Sequence, residues 1–141
     1  MDALTLAKGL ARLQADEGLR TFAYKDIKGH LTIGYGRNLD ARGIRASEAL
    51  LMLQNDVAEL LNEFPITLPW FSTIDSVRQS VLLNMAYNLG MTGLMGFKNM
   101  LNCLQAQDFA GAAQDLLDSD AAKLLPARYA RLAHVMETGN I

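Results

Sequence analysis

One cysteine, two histidines and one tryptophan in 141 residues put several architectures out of reach. Cys103 alone cannot close an internal disulfide, and His30 and His134 lie too far apart to offer metal-ligand spacing, so neither a disulfide framework nor a structural metal is expected. No apolar run is long enough to span a bilayer, and the opening Met1-Asp2-Ala3-Leu4-Thr5-Leu6-Ala7-Lys8 is too polar for a signal-peptide core. Neither stable membrane insertion nor an export signal of the chain's own is expected. There is no low-complexity segment and no internal repeat. Half the residues are apolar and a fifth charged, the composition of a folded globular domain.

The formal net charge of −2 argues against a nucleic-acid partner, but the charge is unevenly spread. Residues 20–45 hold six Lys/Arg against two Asp, a net of +4, whereas residues 46–124 hold three positive and nine negative side chains, a net of −6. Such a basic segment can draw an anionic polymer by long-range attraction, and salt should weaken that attraction. Solvated faces with chance asymmetry are the plainer account of the same pattern.

Hydrophobic spacing divides the chain. Leu6, Leu10, Leu13 and Glu17 share one stripe of a helix running from about Leu4 to Glu17 and stopped by Gly18. Phe22 and Tyr24 alternate, Asp26-Ile27-Lys28-Gly29 suits a type I turn, and Leu31, Ile33 and Tyr35 alternate again, predicting a hairpin with a short third strand or loop near Asn38 to Ile44. Ser47 is the expected N-cap of a connecting helix that Pro65 ends near Phe64. Helices follow over Asp75–Leu89 closed by Gly90, Phe97–Ala106, Phe109–Leu117 and Pro126–Thr138, the last flanked by Pro and Gly139.

Chemistry concentrates where the first helix meets the hairpin. Glu17 ends a helix on its apolar stripe, where desolvation and the negative end of the helix dipole both disfavour an ionised carboxylate, a setting suited to a general acid. Asp26, in a polar turn, stays ionised and can orient a water or stabilise an oxocarbenium-like transition state. Thr32 faces away from Leu31 and Ile33, beside the small Gly34 and Gly36, where a hydroxyl has room to meet a sugar or a water. Singly, each has a plainer account: an exposed terminal Glu like Asp16, an Asp bonding its own turn, a Thr favouring a strand. Two carboxylates and a hydroxyl at this spacing are the equipment of glycoside hydrolysis. Met85, Met95 and Met100 read as core fillers, and Cys103 as a small buried hydrophobe with no basic neighbour to activate it.

The stretch Glu17-Gly18-Leu19-Arg20, Tyr24-x-Asp26, Gly29-x-x-Thr32-Ile33-Gly34-Tyr35-Gly36 resembles the phage-type lysozymes related to T-even phage lysozyme, glycoside hydrolase family 24. So do Arg78, Leu83-Asn84-Met85-Ala86-Tyr87-Asn88-Leu89-Gly90, Thr92-Gly93 and Gly96-Phe97, and the likeness covers nearly the whole chain in order. It implies an α+β, two-lobe lysozyme-like fold in one domain: a small β-hairpin lobe at about 19–46, and a larger helical lobe at about 65–141 plus the N-terminal helix, joined by a long helix. It implies a cofactor-free muramidase that cleaves the β-1,4 bond between N-acetylmuramic acid and N-acetylglucosamine of a peptidoglycan glycan strand.

By that resemblance Glu17 is the general acid, Asp26 the second carboxylate and Thr32 the group that places water or sugar. Arg128 would contact and support the acid, a cation that favours ionisation and leaves the sign of the balance at Glu17 open. Asn38, Tyr87 and Asn88 match substrate-cleft positions. A monomeric endolysin is implied, held in the host bacterial cytoplasm until a holin-type partner permeabilises the membrane. Two departures stand out. Arg37 occupies the position of a frequent His, and Ala121-Ala122 replaces a Trp expected before the final Pro-x-Arg. Two other readings stay open: a lytic transglycosylase, which could dispense with Asp26, and a non-catalytic peptidoglycan-binding module.

Overall fold

The structure is a computed structural model describing residues 1–141, and the chain divides into two compact units, Met1–Leu51 and Met52–Ile141. Eight α-helices and one small antiparallel sheet make an α+β protein of the lysozyme-like class.

In the first unit, helix α1 (Ala3–Glu17) starts where the Asp2 carboxylate caps the Thr5 backbone N–H, and it gives way to Gly18 at φ +69°. Three strands follow, β1 (Arg20–Lys25), β2 (Leu31–Gly34) and β3 (Arg37–Asn38), in the order β1-β2-β3. Register pairs Tyr24 with Thr32 and Thr32 with Asn38, so Thr32 lies in the central strand between both neighbours. That placement reverses the expected sidedness: Thr32 is 3% exposed while Leu31 is 39% exposed. The short helix α2 (Leu39–Arg42) occupies the segment expected to be strand or loop, capped by the Asn38 side chain.

Helix α3 (Ala46–Thr67) spans the boundary between the units. It starts one residue before the expected cap Ser47. Glu48 reaches back to accept the Arg45 backbone N–H at 2.7 Å, the acidic half of a capping box. Pro65 does not end it, because a proline one turn from a helix end removes a single backbone bond, and the Leu68 N–H still reaches the Phe64 carbonyl at 2.7 Å.

The second unit holds the apolar core. Helix α4 (Ser76–Met95), capped by Asp75, is interrupted at Gly90 with φ 74° and ψ 162°, so the expected stop is a break between two abutting helices. Then come α5 (Lys98–Gln105), α6 (Phe109–Leu117), the unanticipated five-residue α7 (Asp120–Leu124) and α8 (Pro126–Thr138), which closes on left-handed Gly139. Phe64, Leu82, Met85, Leu94, Met100, Leu104, Leu116, Tyr129 and Met136 are fully buried, and Phe64 stacks on Phe71 at 4.3 Å between centroids. Met85 and Met100 fill the core as expected, with Met95 packed against it. Ala122, where a Trp was expected, is buried in α7. Burial, followed by the Asp108 and Asp115 carboxylates, pushes the Cys103 thiol up, away from a reactive thiolate.

One arginine ties this unit's helices together. Arg78 donates from Nη1 to Asp75 (2.8 Å), from Nε to the Met136 carbonyl (2.7 Å) and from Nη2 to the Glu137 carbonyl (2.9 Å). Its guanidinium stacks 3.5 Å over the Phe109 ring. A cation thus satisfies the last carbonyls of α8, where the helix dipole welcomes positive charge.

Candidate active site

Asp26 opens the turn between β1 and β2. Its N–H donates to the His30 carbonyl and its own carbonyl accepts from Gly29, whose φ of +85° is the left-handed step that closes a three-residue hairpin loop. Asp26 Oδ1 accepts the backbone N–H groups of Lys28 (2.8 Å) and His30 (2.9 Å), and Oδ2 lies 3.4 Å from His30 Nδ1. The His30 N–H, joined by that of Lys28 and the imidazole and opposed by partial burial, holds the carboxyl below its ordinary value. The carboxyl is therefore ionised at neutral pH, as expected of a polar turn.

Glu17 is the last residue of α1 and is exposed, and Leu6, Leu10 and Leu13 of the expected apolar stripe are also each more than half exposed. Its carboxylate rests on the turn after β2: a Cβ built on Gly36, where φ is +72°, would fall 2.6 Å from Glu17 Oε2. Glycine leaves the carboxylate where it rests and adopts that backbone without strain. Glu17 and Asp26 therefore meet the turns at opposite ends of β2, with Thr32 in the strand between them. The Thr32 hydroxyl donates to the His30 carbonyl at 3.0 Å, which spends its proton and leaves its lone pairs as acceptors.

Arg37, at the position of a frequent His, is neutralised by a two-pronged pair with Glu48 at 3.0 and 2.7 Å, and Arg45 lies 3.5 Å from the same carboxylate. Asn38 spends its side-chain oxygen capping α2 through the Ala41 N–H, keeping its amide donors. In the second unit, Tyr87 is exposed and lines two hollows. One, of about 410 Å³, also has Asp56, Glu59 and Glu63 on its walls; the other, of about 200 Å³, has Ser80, Asn84 and Arg128. Asn88 is exposed on the same helix. Arg128 directs Nε to Asn84 Oδ1 (2.9 Å) and Nη2 to the Asn84 carbonyl (3.1 Å), which fixes one edge of the guanidinium. No group of His, Cys, Asp and Glu side chains forms a metal site.

A family model described as phage lysozyme matches residues 14–128, the span that carries Glu17, Asp26, Thr32 and Arg128. The chain belongs to the phage lysozyme family. Membership makes it a lysozyme-type enzyme whose substrate is peptidoglycan. Among relatives, "Probable T4-type lysozyme 1" of Dictyostelium discoideum is 25% identical, covering 92% of this chain and 93% of its own length. An "Endolysin" of Acyrthosiphon pisum secondary endosymbiont phage 1 is 31% identical over 83% of this chain and 80% of its own. The "Pre-baseplate central spike protein Gp5" of Enterobacteria phage T4 is 26% identical over 92% of this chain, which matches 27% of that protein.

Two features of the candidate site in this phage lysozyme escaped the sequence reading. Glu48, partner of Arg37, is eleven residues away, and its only sequence signal is an acid at the third position of a helix. Gly36, read as room for substrate, instead accommodates Glu17.

Proposed function

We propose that this lysozyme is a muramidase that hydrolyses the β-1,4 bond between N-acetylmuramic acid and N-acetylglucosamine. Glu17 protonates the leaving oxygen, Asp26 stabilises positive charge at the anomeric carbon or guides the attacking water, and Thr32 helps place that water. Asn38, Tyr87 and Asn88 contact the glycan, and Arg128 supports the acid. The observation that carries the reading is the contrast between the carboxylates: Asp26 is held ionised by two turn N–H groups, whereas Glu17 rests against Gly36 and takes no hydrogen bond from its own unit. Contrasting environments divide acid from base in glycosidases. No cofactor is required for this chemistry.

In this reading the whole chain, residues 1–141, works as one lysozyme-like domain and as a monomer. Its setting is that of an endolysin: it accumulates in the host bacterial cytoplasm, reaches the wall after holin-type permeabilisation and lyses the cell. No helix is long and apolar enough to cross a membrane, in keeping with a separate route to the wall.

The test digests purified sacculi with the wild-type enzyme and with Glu17→Gln, then identifies released muropeptides by mass spectrometry. Reducing muramic-acid ends from the wild type alone are expected. Anhydro ends would mean a transglycosylase, and no products from either a binding module.

A further inference from the structure

His30 touches both residues assigned to the water side of the reaction. Its carbonyl accepts the Asp26 N–H (2.9 Å) and the Thr32 hydroxyl (3.0 Å), its N–H donates to Asp26 Oδ1 (2.9 Å), and its ring nitrogen Nδ1 lies 3.4 Å from Asp26 Oδ2. Any residue at position 30 would supply the three backbone contacts. The ring contact is different, because Oδ1 is occupied by two N–H groups and Oδ2 meets only the imidazole.

We propose that His30 is a positioning residue for Asp26: its imidazole orients Oδ2, and its charge sets how much negative charge that oxygen presents to the glycan. The proposal rests on the reading of Asp26 as the second carboxylate. A neutral ring stands 3.4 Å from Oδ2 and leaves that oxygen its full negative charge. A protonated ring pairs with Asp26 and cancels part of the field that stabilises an oxocarbenium-like transition state. Protonating the ring therefore lowers activity, a loss distinct from neutralising Asp26 itself. Three other charged groups lie on the same turn or on neighbouring elements: Lys28 in the turn, Lys25 of β1 paired with Leu31, and Asp40 of α2, whose Oδ2 accepts the Leu31 N–H at 2.8 Å. Of these Asp40 is the rival partner.

The experiment measures kcat and KM on soluble peptidoglycan fragments between about pH 5 and 8 for the wild type, His30→Ala, His30→Gln, Asp40→Asn and Asp26→Asn. It also follows the Asp26 carboxyl carbon by NMR titration in the wild type and both His30 variants. His30→Ala is expected to lower kcat several-fold with KM unchanged, and His30→Gln to restore part of that loss. Both should flatten the acid limb, and the Asp26 carboxyl should titrate at higher pH in His30→Ala. An unchanged acid limb in both His30 variants, an unmoved Asp26 titration, or a limb flattened by Asp40→Asn instead would each overturn the proposal. Wild-type kcat in Asp26→Asn would overturn the reading of Asp26 itself. The NMR titration, which needs no turnover, separates that failure from a failure of the His30 contact.

Discussion

The two units are held together by different physics. Every buried apolar side chain lies at Phe64 or beyond, whereas the first unit buries only the polar Thr32. It is ordered instead by hydrogen bonds at its turns, the Asp26 loop, the Asp40 carboxylate on the Leu31 N–H and the Arg37–Glu48 pair. The proposed chemistry resides where packing is thin, and stability where it is dense. A carboxylate needs access to substrate and tolerates little desolvation, so turn amides rather than a core are the means of fixing it.

Four substitutions probe this division. Met85→Ala, which hollows the second unit's core, should cost about 2–5 kcal/mol in urea unfolding and leave turnover per folded molecule near wild type. Activity lost ahead of stability would break the comparison. Gly36→Ala should do the reverse: with a Cβ forced against the Glu17 carboxylate, kcat should fall on the order of 10²-fold, while stability falls by about 1–2 kcal/mol. Steady-state kinetics beside chemical denaturation reads both.

Asp75 supplies a pH test of the second unit. Burial pushes its carboxyl up, but the Arg78 side chain and backbone N–H outweigh that effect and hold it below the ordinary carboxylate value. A carboxyl lowered on folding adds stability that is present above its unfolded value of about 3.9 and drains away as pH falls through the lower folded value. Asp75→Asn should therefore lower stability at neutral pH and narrow the difference between denaturation midpoints at neutral and strongly acidic pH. The smallest effect is expected at Tyr129, buried with no hydrogen-bond partner for its hydroxyl. Tyr129→Phe should leave stability unchanged or raise it by about 1 kcal/mol, and a clear loss by calorimetry would reveal a partner for that oxygen.

Much of the scaffold was legible because its signals are local. Helices α6 and α8 keep the expected bounds, since Asp108, Pro126 and Gly139 punctuate them, and Gly90 interrupts α4 where its conformation demands. Misreadings arose where a distant or competing group decides. Ser47 yields the start of α3 to Glu48, Pro65 is absorbed in the helix end, and α7 is too short for periodicity to announce. Within the site, the Asp26 turn followed from its residue types, whereas the Arg37–Glu48 pair and the sidedness of Thr32 depend on which strand lies in the middle of the sheet. Alternation cannot tell which face a three-stranded sheet covers.

The grip of Arg78 on the Met136 and Glu137 carbonyls has a consequence for handling the chain. A deletion that removes only the last turn of α8 would strip two acceptors from a guanidinium that is 11% exposed and stacked on Phe109. The damage would then reach α4 and α6, far from the cut. Fusions and affinity tags belong beyond Gly139, where the backbone has already left the helix.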